Sequence, residues 1–211
     1  MFRRNQRNRG DGLKLLRSLE DGEAACVFFD PQYRQGLDKL AYGNEGERQK
    51  KRALLPQMDA LTIRAFLVDI KRVLRPSGHL FWWTDKFHLM TESWATDIDL
   101  LPVVDLITWE KPRIGMGYRT RRKCEYLVVM QKEPTRAKGV WTDHGIPDVW
   151  AERNDLGDQH PHSKPLLLQR RLIEAVTKPG DLVVDPCAGS FSVLVAARQV
   201  KRDFLGCDLN G

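Results

Sequence analysis

The chain lacks long hydrophobic runs: none of its apolar stretches approaches the roughly 20 residues that span a bilayer. No apolar segment follows the basic start MFRRNQRNRGDG, which excludes a secretory signal and predicts a cytoplasmic protein. With 42% hydrophobic and 29% charged residues, the composition excludes a disordered, fibrous or coiled-coil chain. The 211 residues suffice for one substantial core and are too few for two ordinary domains.

Cysteine is scarce as well, and its four copies include no CxxC pair. They are Cys26, Cys124, Cys187 and Cys207. Such wide spacing argues against both a zinc site and a disulfide framework. We expect four reduced thiols, most of them buried as small apolar side chains.

Basic residues exceed acidic ones by 34 to 28, and they occur in three clusters. The clusters comprise Arg3, Arg4, Arg7 and Arg9; Arg48, Lys50, Lys51 and Arg52; and Lys111, Arg113, Arg119, Arg121, Arg122 and Lys123. Any single cluster is more often a solvated face. Three of them in predicted loops favour a polyanionic partner, because Lys and Arg neutralise phosphates in nucleic-acid binding.

Hydrophobic patterning predicts strands that alternate with helices along most of the chain. The predicted strands are 24–29, 79–83, 103–109, 125–131, 181–185 and 204–208. The predicted helices are 58–74, ended by Pro76-Ser77-Gly78, 86–97, 164–177 and 191–200. Residues 34–56 and 111–124 are predicted loops, and 132–163 show no periodicity. The alternation predicts a three-layer α/β fold with a mostly parallel sheet.

Three acidic residues follow predicted strands: Asp30, Asp185 and Asp208. Ligands of parallel sheets bind beyond the carboxyl ends of the strands, so these positions form the candidate site. After Asp185, a turn containing Gly189 leads into a helix whose first N–H groups are free to bind a ligand. Asp208 ends the next strand about 20 residues on, where a carboxylate can accept from both ribose hydroxyls. This pair favours a nucleoside cofactor over an ordinary capped turn.

The tetrapeptide Asp30-Pro31-Gln32-Tyr33 follows a buried strand. A carboxylate and a neighbouring backbone carbonyl are both acceptors, and together they can hold an exocyclic NH₂ group. The tyrosine ring can stack on a planar base. Taken alone, the tetrapeptide is only weakly specific, and an ordinary strand-to-loop turn is the simpler alternative.

Together these motifs resemble those of the β-type, amino-group DNA methyltransferases. Residues 30–33 resemble their DPPY motif, and Asp185-Pro186-Cys187-Ala188-Gly189-Ser190 resembles their DPFxGSG S-adenosylmethionine motif. His160-Pro161-His162-Ser163-Lys164-Pro165 is similar to their HPxxKP segment, and Gly10-Asp11-Gly12 to their GD segment. The target-base motif precedes the cofactor motif, which is the permuted order of this family.

The resemblance covers about residues 10–208 and implies one methyltransferase domain over residues 1–211. Its fold would be a Rossmann-like, three-layer sheet with one antiparallel hairpin strand. The target-base half would span about 10–131, the connecting and recognition segment about 132–159, and the cofactor half about 160–211. The protein would be cytoplasmic, in a bacterial or phage-infected cell.

The implied reaction moves a methyl group from S-adenosylmethionine to a base amine of double-stranded DNA, with the base flipped out of the stack. The implied catalytic residues are Asp30, Pro31, Gln32 and Tyr33. The implied cofactor-binding residues are Asp11, Lys164, Asp185, Cys187, Gly189, Ser190, Phe191 and Asp208. For Lys164 the alternatives are a contact with the cofactor carboxylate, a brace within the site, or a plain helix N-terminal charge. The implied DNA-binding residues are Arg34, Arg48, Lys50, Lys51, Arg52, Arg119, Arg121, Arg122 and Lys123. No metal is implied, and a homodimer remains open because related enzymes are often dimers.

Several alternatives remain at this stage. Asp30 favours adenine N6, because Asp at the first motif position goes mostly with adenine and Ser with cytosine N4. Methylation of N4-cytosine, of RNA or of a protein amide stays open. Departures from the family pattern at Gln32, Cys187 and Phe191 motivate a catalytically impaired nucleic-acid-binding relative. A dinucleotide oxidoreductase would need a Gly-rich turn after the first strand, which the sequence lacks.

Overall fold

The structure is a computed structural model that describes residues 1–31, 58–84, 86–90, 100–115, 119–153 and 164–210. The strands are β1 (Asn8–Arg9), β2 (Ala24–Phe29), β3 (Leu74–Thr84), β4 (Val103–Glu110), β5 (Cys124–Gln131), β6 (Val149–Ala151), β7 (Leu182–Asp185) and β8 (Asp203–Asp208). The helices are α1 (Gly12–Arg17), α2 (Ala60–Val73), α3 (Lys86–Met90), α4 (Leu166–Val176) and α5 (Ser192–Gln199).

These strands form one sheet in the order β1-β8-β7-β2-β3-β5-β4-β6. Strand β5 runs antiparallel to both of its neighbours, and the remaining pairs are parallel. The predicted mostly parallel sheet with one antiparallel hairpin strand is thereby confirmed. The carboxyl ends of β2, β7 and β8 share one edge of the sheet, and the start of β5 lies at that same edge.

The sheet is covered by helices on both faces, which makes three layers. Along β2, Cys26 and Phe28 pack in the cluster that contains α4 and α5, whereas Val27 and Phe29 pack with α1 and α2. A strand buried on both faces reads as a continuous apolar run, which is why AACVFF signals a central strand.

Two boundaries differ from the sequence expectation. Helix α2 ends at Val73, and β3 begins at once, so Pro76-Ser77-Gly78 lies within the strand rather than between elements. The strand absorbs these residues in a bulge, where the register with β2 shifts between Ala24 and Cys26. Ser77 takes a left-handed φ of 61° there, and its hydroxyl donates to the Pro134 carbonyl at 2.7 Å.

Two further elements were placed less well. The helix expected over 86–97 is described only for Lys86–Met90, since residues 91–99 lie outside the described part. Short strand β6 lies within the segment that shows no periodicity, and it pairs with β4 through Trp150 opposite Trp109. Both tryptophans of that segment pack on the core as expected: Trp150 is buried, and Trp141 contacts the cluster from its rim.

All four cysteines are free; Cys26 and Cys207 are buried, and Cys124 and Cys187 are half-buried. Within the described residues, no group of three or more His, Cys, Asp or Glu side chains is arranged to hold a metal ion. None of the helices in those same ranges has the length and apolarity that crossing a membrane requires.

Candidate active site

The three acidic strand ends meet at one edge of the sheet. Strands β2, β7 and β8 are parallel neighbours, so Asp30, Asp185 and Asp208 follow one another along their carboxyl ends. Strand β1 pairs with β8, and its continuation places Asp11 at this edge, where the Gly10 N–H donates to the Asp208 carbonyl at 3.0 Å. Four carboxylates therefore surround the region in which a parallel sheet binds ligands.

Asp185 is the most deeply placed of these carboxylates. Its side chain is 5% exposed, and its Oδ1 accepts from the Cys187 N–H at 3.1 Å. Burial raises the pKa of Asp185 to about 8, and the charges of Asp30 and Asp208 raise it further, against the hydrogen bond from Cys187. A ligand that brings positive charge to this position would stabilise the carboxylate.

The turn after Asp185 combines an open backbone with buried side chains. Gly189 has a φ of +47°, and a Cβ there would meet no atom within 4 Å, so its main chain faces open space. Ser190 is half-buried. Phe191 also has a left-handed φ of 60°, but its ring is 1% exposed and packs edge-on against Phe204. A contact between Phe191 and a cofactor would therefore use its main chain.

The thiol of Cys187 is half-buried beside this turn. Burial raises its pKa well above the ordinary value, and Asp185 and Asp30 raise it further, so the thiol is neutral at pH 7. Cys187 can line the site as a small apolar group, and it is not an activated nucleophile.

Asp11 and Asp208 hold the loops at the other side of the edge. The Asp11 Oδ1 caps α1 by accepting from the Lys14 N–H at 2.9 Å, and the Asp208 Oδ1 accepts from the Asn210 N–H at 2.8 Å. Helix α1 starts against the cofactor-motif turn, because a Cβ at Gly12 would lie 2.3 Å from the Pro186 carbonyl oxygen. A glycine is required at that position.

Asp30 belongs to an ion-pair chain that crosses four elements. The Lys164 Nζ lies 3.1 Å from the Asp30 Oδ2 and 2.9 Å from the Glu125 Oε2. The Lys111 Nζ lies 2.6 Å from the Glu125 Oε1. The Lys164 ammonium also lies 5.3 Å from the centre of the Trp83 ring, within the range of a cation–π interaction. The contacts place Lys164 on the Asp30 side of the site.

Charge pairing dominates the ionisation of this chain. Burial would raise the pKa of Glu125, but Lys164 and Lys111 together lower it to about 2. Burial would lower the pKa of Lys164, and the Asp30 and Glu125 carboxylates raise it instead. For Asp30, burial raises the pKa, the Lys164 charge opposes that rise, and Glu125 adds to it.

Helix α4 presents Lys164 from just before its first turn. Its N-cap is Pro165, which offers no side-chain acceptor. The Glu152 carboxylate caps the helix instead, accepting from the Leu167 N–H at 2.8 Å and from the Leu168 N–H at 3.0 Å. It also accepts from the Trp150 Nε1 at 2.6 Å, so β6 and α4 are joined at this point.

The basic loop between β4 and β5 projects from the same edge as Asp30. Arg119, Arg121 and Lys123 are exposed, and Arg122 is half-buried. The loop is a hairpin, in which the Lys111 N–H donates to the Lys123 carbonyl at 2.7 Å and the Gly115 N–H to the Arg122 carbonyl at 2.6 Å. Lys123 pairs with Glu110.

The N-terminal basic cluster is engaged within the protein. Arg4 pairs with Glu23 at 2.5 Å and Asp203 at 3.5 Å, and the Arg7 guanidinium lies 5.3 Å from the Phe191 ring centre. The Arg9 Nε donates to the Leu209 carbonyl at 3.1 Å. For this cluster the structural alternative accounts for the charges.

The remaining predicted site residues divide between described and undescribed ranges. Pro31 is buried directly after β2. Outside the described residues lie Gln32, Tyr33, Arg34, Arg48, Lys50, Lys51 and Arg52. Sequence reasoning missed Glu125 and Glu152. The only signal for Glu125 was its place as the first acidic residue after the basic run, at the start of a predicted strand.

Comparison with known proteins places this geometry in context. A family model described as DNA methylase matches residues 12–211. The chain is 51% identical over 208 residues to the Type II methyltransferase M.HhaII of Haemophilus parahaemolyticus, covering 97% of this chain and 91% of that protein.

Solved structures share the fold at low sequence identity. TTHA0409, a DNA modification methylase from Thermus thermophilus complexed with S-adenosyl-L-methionine, matches with a TM-score of 0.67 at 19% identity, covering 97% of this chain and 87% of that one. The PvuII DNA methyltransferase, described as cytosine-N4-specific, matches with a TM-score of 0.74 at 17% identity, covering 97% and 81%.

Proposed function

The chain belongs to the DNA methylase family of N6 and N4 amino-group methyltransferases, and from this premise we propose that it methylates adenine N6 in double-stranded DNA. Family membership makes it an S-adenosylmethionine-dependent DNA methyltransferase. The observation that carries the finer proposal is the placement of Asp30, at the open end of β2 beside Asp185 and Asp208.

The residues present fit S-adenosylmethionine. This cofactor carries a sulfonium, an ammonium and a ribose diol, and it supplies an electrophilic methyl group when bound. Asp185 is a buried carboxylate with a raised pKa, and it lies where a positive ligand group would complete its environment. Asp185, Gly189, Ser190 and half-buried Cys187 would surround the methionine part. Phe191 would contribute only its main chain.

The nucleoside part of the cofactor falls to the neighbouring strand ends. Asp208 would accept from the ribose hydroxyls, since it follows β8 as the acidic residue does in dinucleotide folds. Asp11 would lie near the adenine edge, from its place between β1 and α1.

Asp30 and the Pro31 carbonyl would hold the target amine. Both are acceptors, so they can take the two amino hydrogens and direct the nitrogen lone pair away from the ring plane. Gln32 and Tyr33 would continue this clamp, with the tyrosine ring stacked on the flipped base. Positioning and electrostatics then supply most of the rate, because a sulfonium is already a good leaving group.

Asp30 would act as an orienting acceptor more than as a strong base. In the transfer, the N–CH₃ bond forms as the S–CH₃ bond breaks, and the electron pair of that bond remains on sulfur. The methylated nitrogen is positively charged at that moment and then releases a proton to Asp30 or water. The Lys164 ammonium at 3.1 Å weakens the basicity of Asp30 and so favours the acceptor role.

DNA contact is assigned to the basic surface at the Asp30 edge. Arg119, Arg121, Arg122 and Lys123 project from the β4–β5 hairpin and would reach phosphates flanking the flipped base. Arg34, Arg48, Lys50, Lys51 and Arg52 remain predicted DNA contacts. Adenine is preferred over cytosine because Asp stands at the first position of the motif.

Side-by-side transfer of a tritiated methyl group from S-adenosylmethionine to duplex DNA, RNA and a protein extract tests the proposal. The DNA is then hydrolysed, and its adenine and cytosine nucleosides are counted separately. We expect label in DNA, in the N6-methyladenine fraction. Label confined to N4-methylcytosine would correct the base, and label confined to RNA or protein would overturn the substrate class.

A further inference from the structure

Glu125 occupies a position that the proposed reaction does not yet use. It lies at the start of antiparallel strand β5, opposite Trp109 of β4, and this register brings it to the edge where Asp30 follows β2. Both of its carboxylate oxygens are engaged: Oε1 accepts from Lys111 and Oε2 from Lys164. The side chain is 27% exposed, and that of Lys164 is 15% exposed.

Resting on the proposed function, we propose that Glu125 is a positioning residue for methyl transfer. It holds the Lys164 ammonium between two carboxylates, so that Lys164 fixes one oxygen of Asp30 and leaves the other for the substrate amine. The contacts support this division, since Lys164 reaches Oδ2 of Asp30, and Oδ1 accepts no hydrogen bond from any residue in the described ranges.

Charge balance explains why a second carboxylate is needed. Without Glu125, the ammonium of Lys164 would have Asp30 as its one carboxylate partner among the described residues, and it would compete with the substrate amine for both oxygens. Lys111 holds the far oxygen of Glu125 and fixes that side chain from the β4 end. The four charges form two positive and two negative groups, so the chain can be desolvated by a bound base without a net charge.

The charged groups that face Asp30 come from three elements. They are Lys164 before α4, Glu125 on β5 and Asp185 on β7. The negative charge of Glu125 raises the pKa of Asp30, and Lys164 lowers it. Removing Glu125 therefore shifts the ionisation of Asp30 to lower pH, whereas general damage to the fold would lower the rate at every pH without moving that ionisation.

The test is a double-mutant cycle on kcat with Glu125→Gln, Lys164→Met and the double variant, assayed on DNA of mixed sequence. We expect Glu125→Gln to lower kcat by roughly 10- to 100-fold, as a displaced reacting group does. In the Lys164→Met background, the same change should lower kcat by less than about 2-fold, since Glu125 acts through Lys164. Affinity for S-adenosylmethionine, measured by calorimetry, should stay within about 2-fold.

Two variants serve as controls. Glu110→Gln makes the same change in charge one ladder position away, where Glu110 pairs with exposed Lys123 and touches neither Lys164 nor Asp30; its kcat should stay within about 2-fold of wild type. Glu125→Asp keeps the charge and should retain more activity than Glu125→Gln. It also keeps the cycle readable if the amide variant fails to fold.

A second readout needs no activity. Carbon-13 NMR titration of the Asp30 carboxyl should move to lower pH in Glu125→Gln, together with the acid limb of the kcat profile. A wild-type kcat in Glu125→Gln, additive losses in the cycle or an unmoved Asp30 titration would each overturn the positioning role. Failure of the proposed function would appear separately, as a wild-type protein that methylates cytosine or does not methylate DNA.

Discussion

Replacing Asp185 with Asn is predicted to stabilise the cofactor-free protein at neutral pH. The side chain is 5% exposed, and Asn keeps an oxygen that can accept from the Cys187 N–H. The folded pKa of about 8 lies above the ordinary value of 3.8, so the folded state binds the Asp185 proton more tightly than the unfolded chain does. Unfolding free energy therefore falls as pH rises between these values, at up to about 1.4 kcal/mol per pH unit.

The size of the effect follows from the same two values. At pH 7 the buried charge of Asp185 costs roughly 4 kcal/mol, and Asp185→Asn removes that cost. Near pH 4 both side chains are neutral in the folded protein, and the two proteins should be equally stable. Because both proteins carry the same remaining groups, the titration of Glu125 cancels in the comparison.

Urea unfolding, followed by the fluorescence of the six tryptophans, measures this difference at pH 5, 6, 7 and 8. The control is Asp105→Asn, which removes an exposed carboxylate and should change stability by less than about 0.5 kcal/mol at every pH. Saturating S-adenosylmethionine should narrow the gap between wild type and Asp185→Asn, because its positive groups offset the carboxylate. An Asn variant that is less stable at pH 8, or a difference that does not change with pH, would refute the reasoning.

Three further variants separate the parts of the site. Asp30→Ala should abolish methyl transfer while leaving the calorimetric affinity for S-adenosylmethionine nearly intact, and full activity would remove Asp30 from the amine clamp. Asp208→Ala should weaken that affinity, since the ribose loses its acceptor; an unchanged Kd would exclude the ribose role. Glu152→Ala should lower the unfolding free energy by about 1–2 kcal/mol, because the Leu167 and Leu168 N–H groups lose their cap. A urea transition at the wild-type midpoint would contradict that capping role.

Much of the sheet could be predicted because its signals are local. Strands such as AACVFF and LVVD are buried on both faces, so their apolar runs stand out in the sequence. The bulge at Pro76-Ser77-Gly78 could not, because Pro and Gly are typical of helix ends and turns, and only the pairing with β2 shows that the strand absorbs them. Strand β6 has three residues, too few for any periodicity.

The cofactor side of the site was more predictable than the base side. Asp185 and Asp208 lie at strand ends, where the sequence position implies the spatial one. Glu125 and Lys164 lie 39 positions apart, and their contact depends on the direction of β5, which turns the start of that strand toward Asp30. Pairings set by strand order and direction are not encoded in any short motif.

The most direct test of the account is mass spectrometry of nucleosides from the DNA of bacteria that lack their own adenine methylation. One culture expresses the wild-type chain, and the matched culture expresses Asp30→Ala. The account predicts N6-methyladenine with the wild-type chain and none with the variant. N4-methylcytosine in its place, no methylated base, or equal N6-methyladenine in both cultures would contradict it.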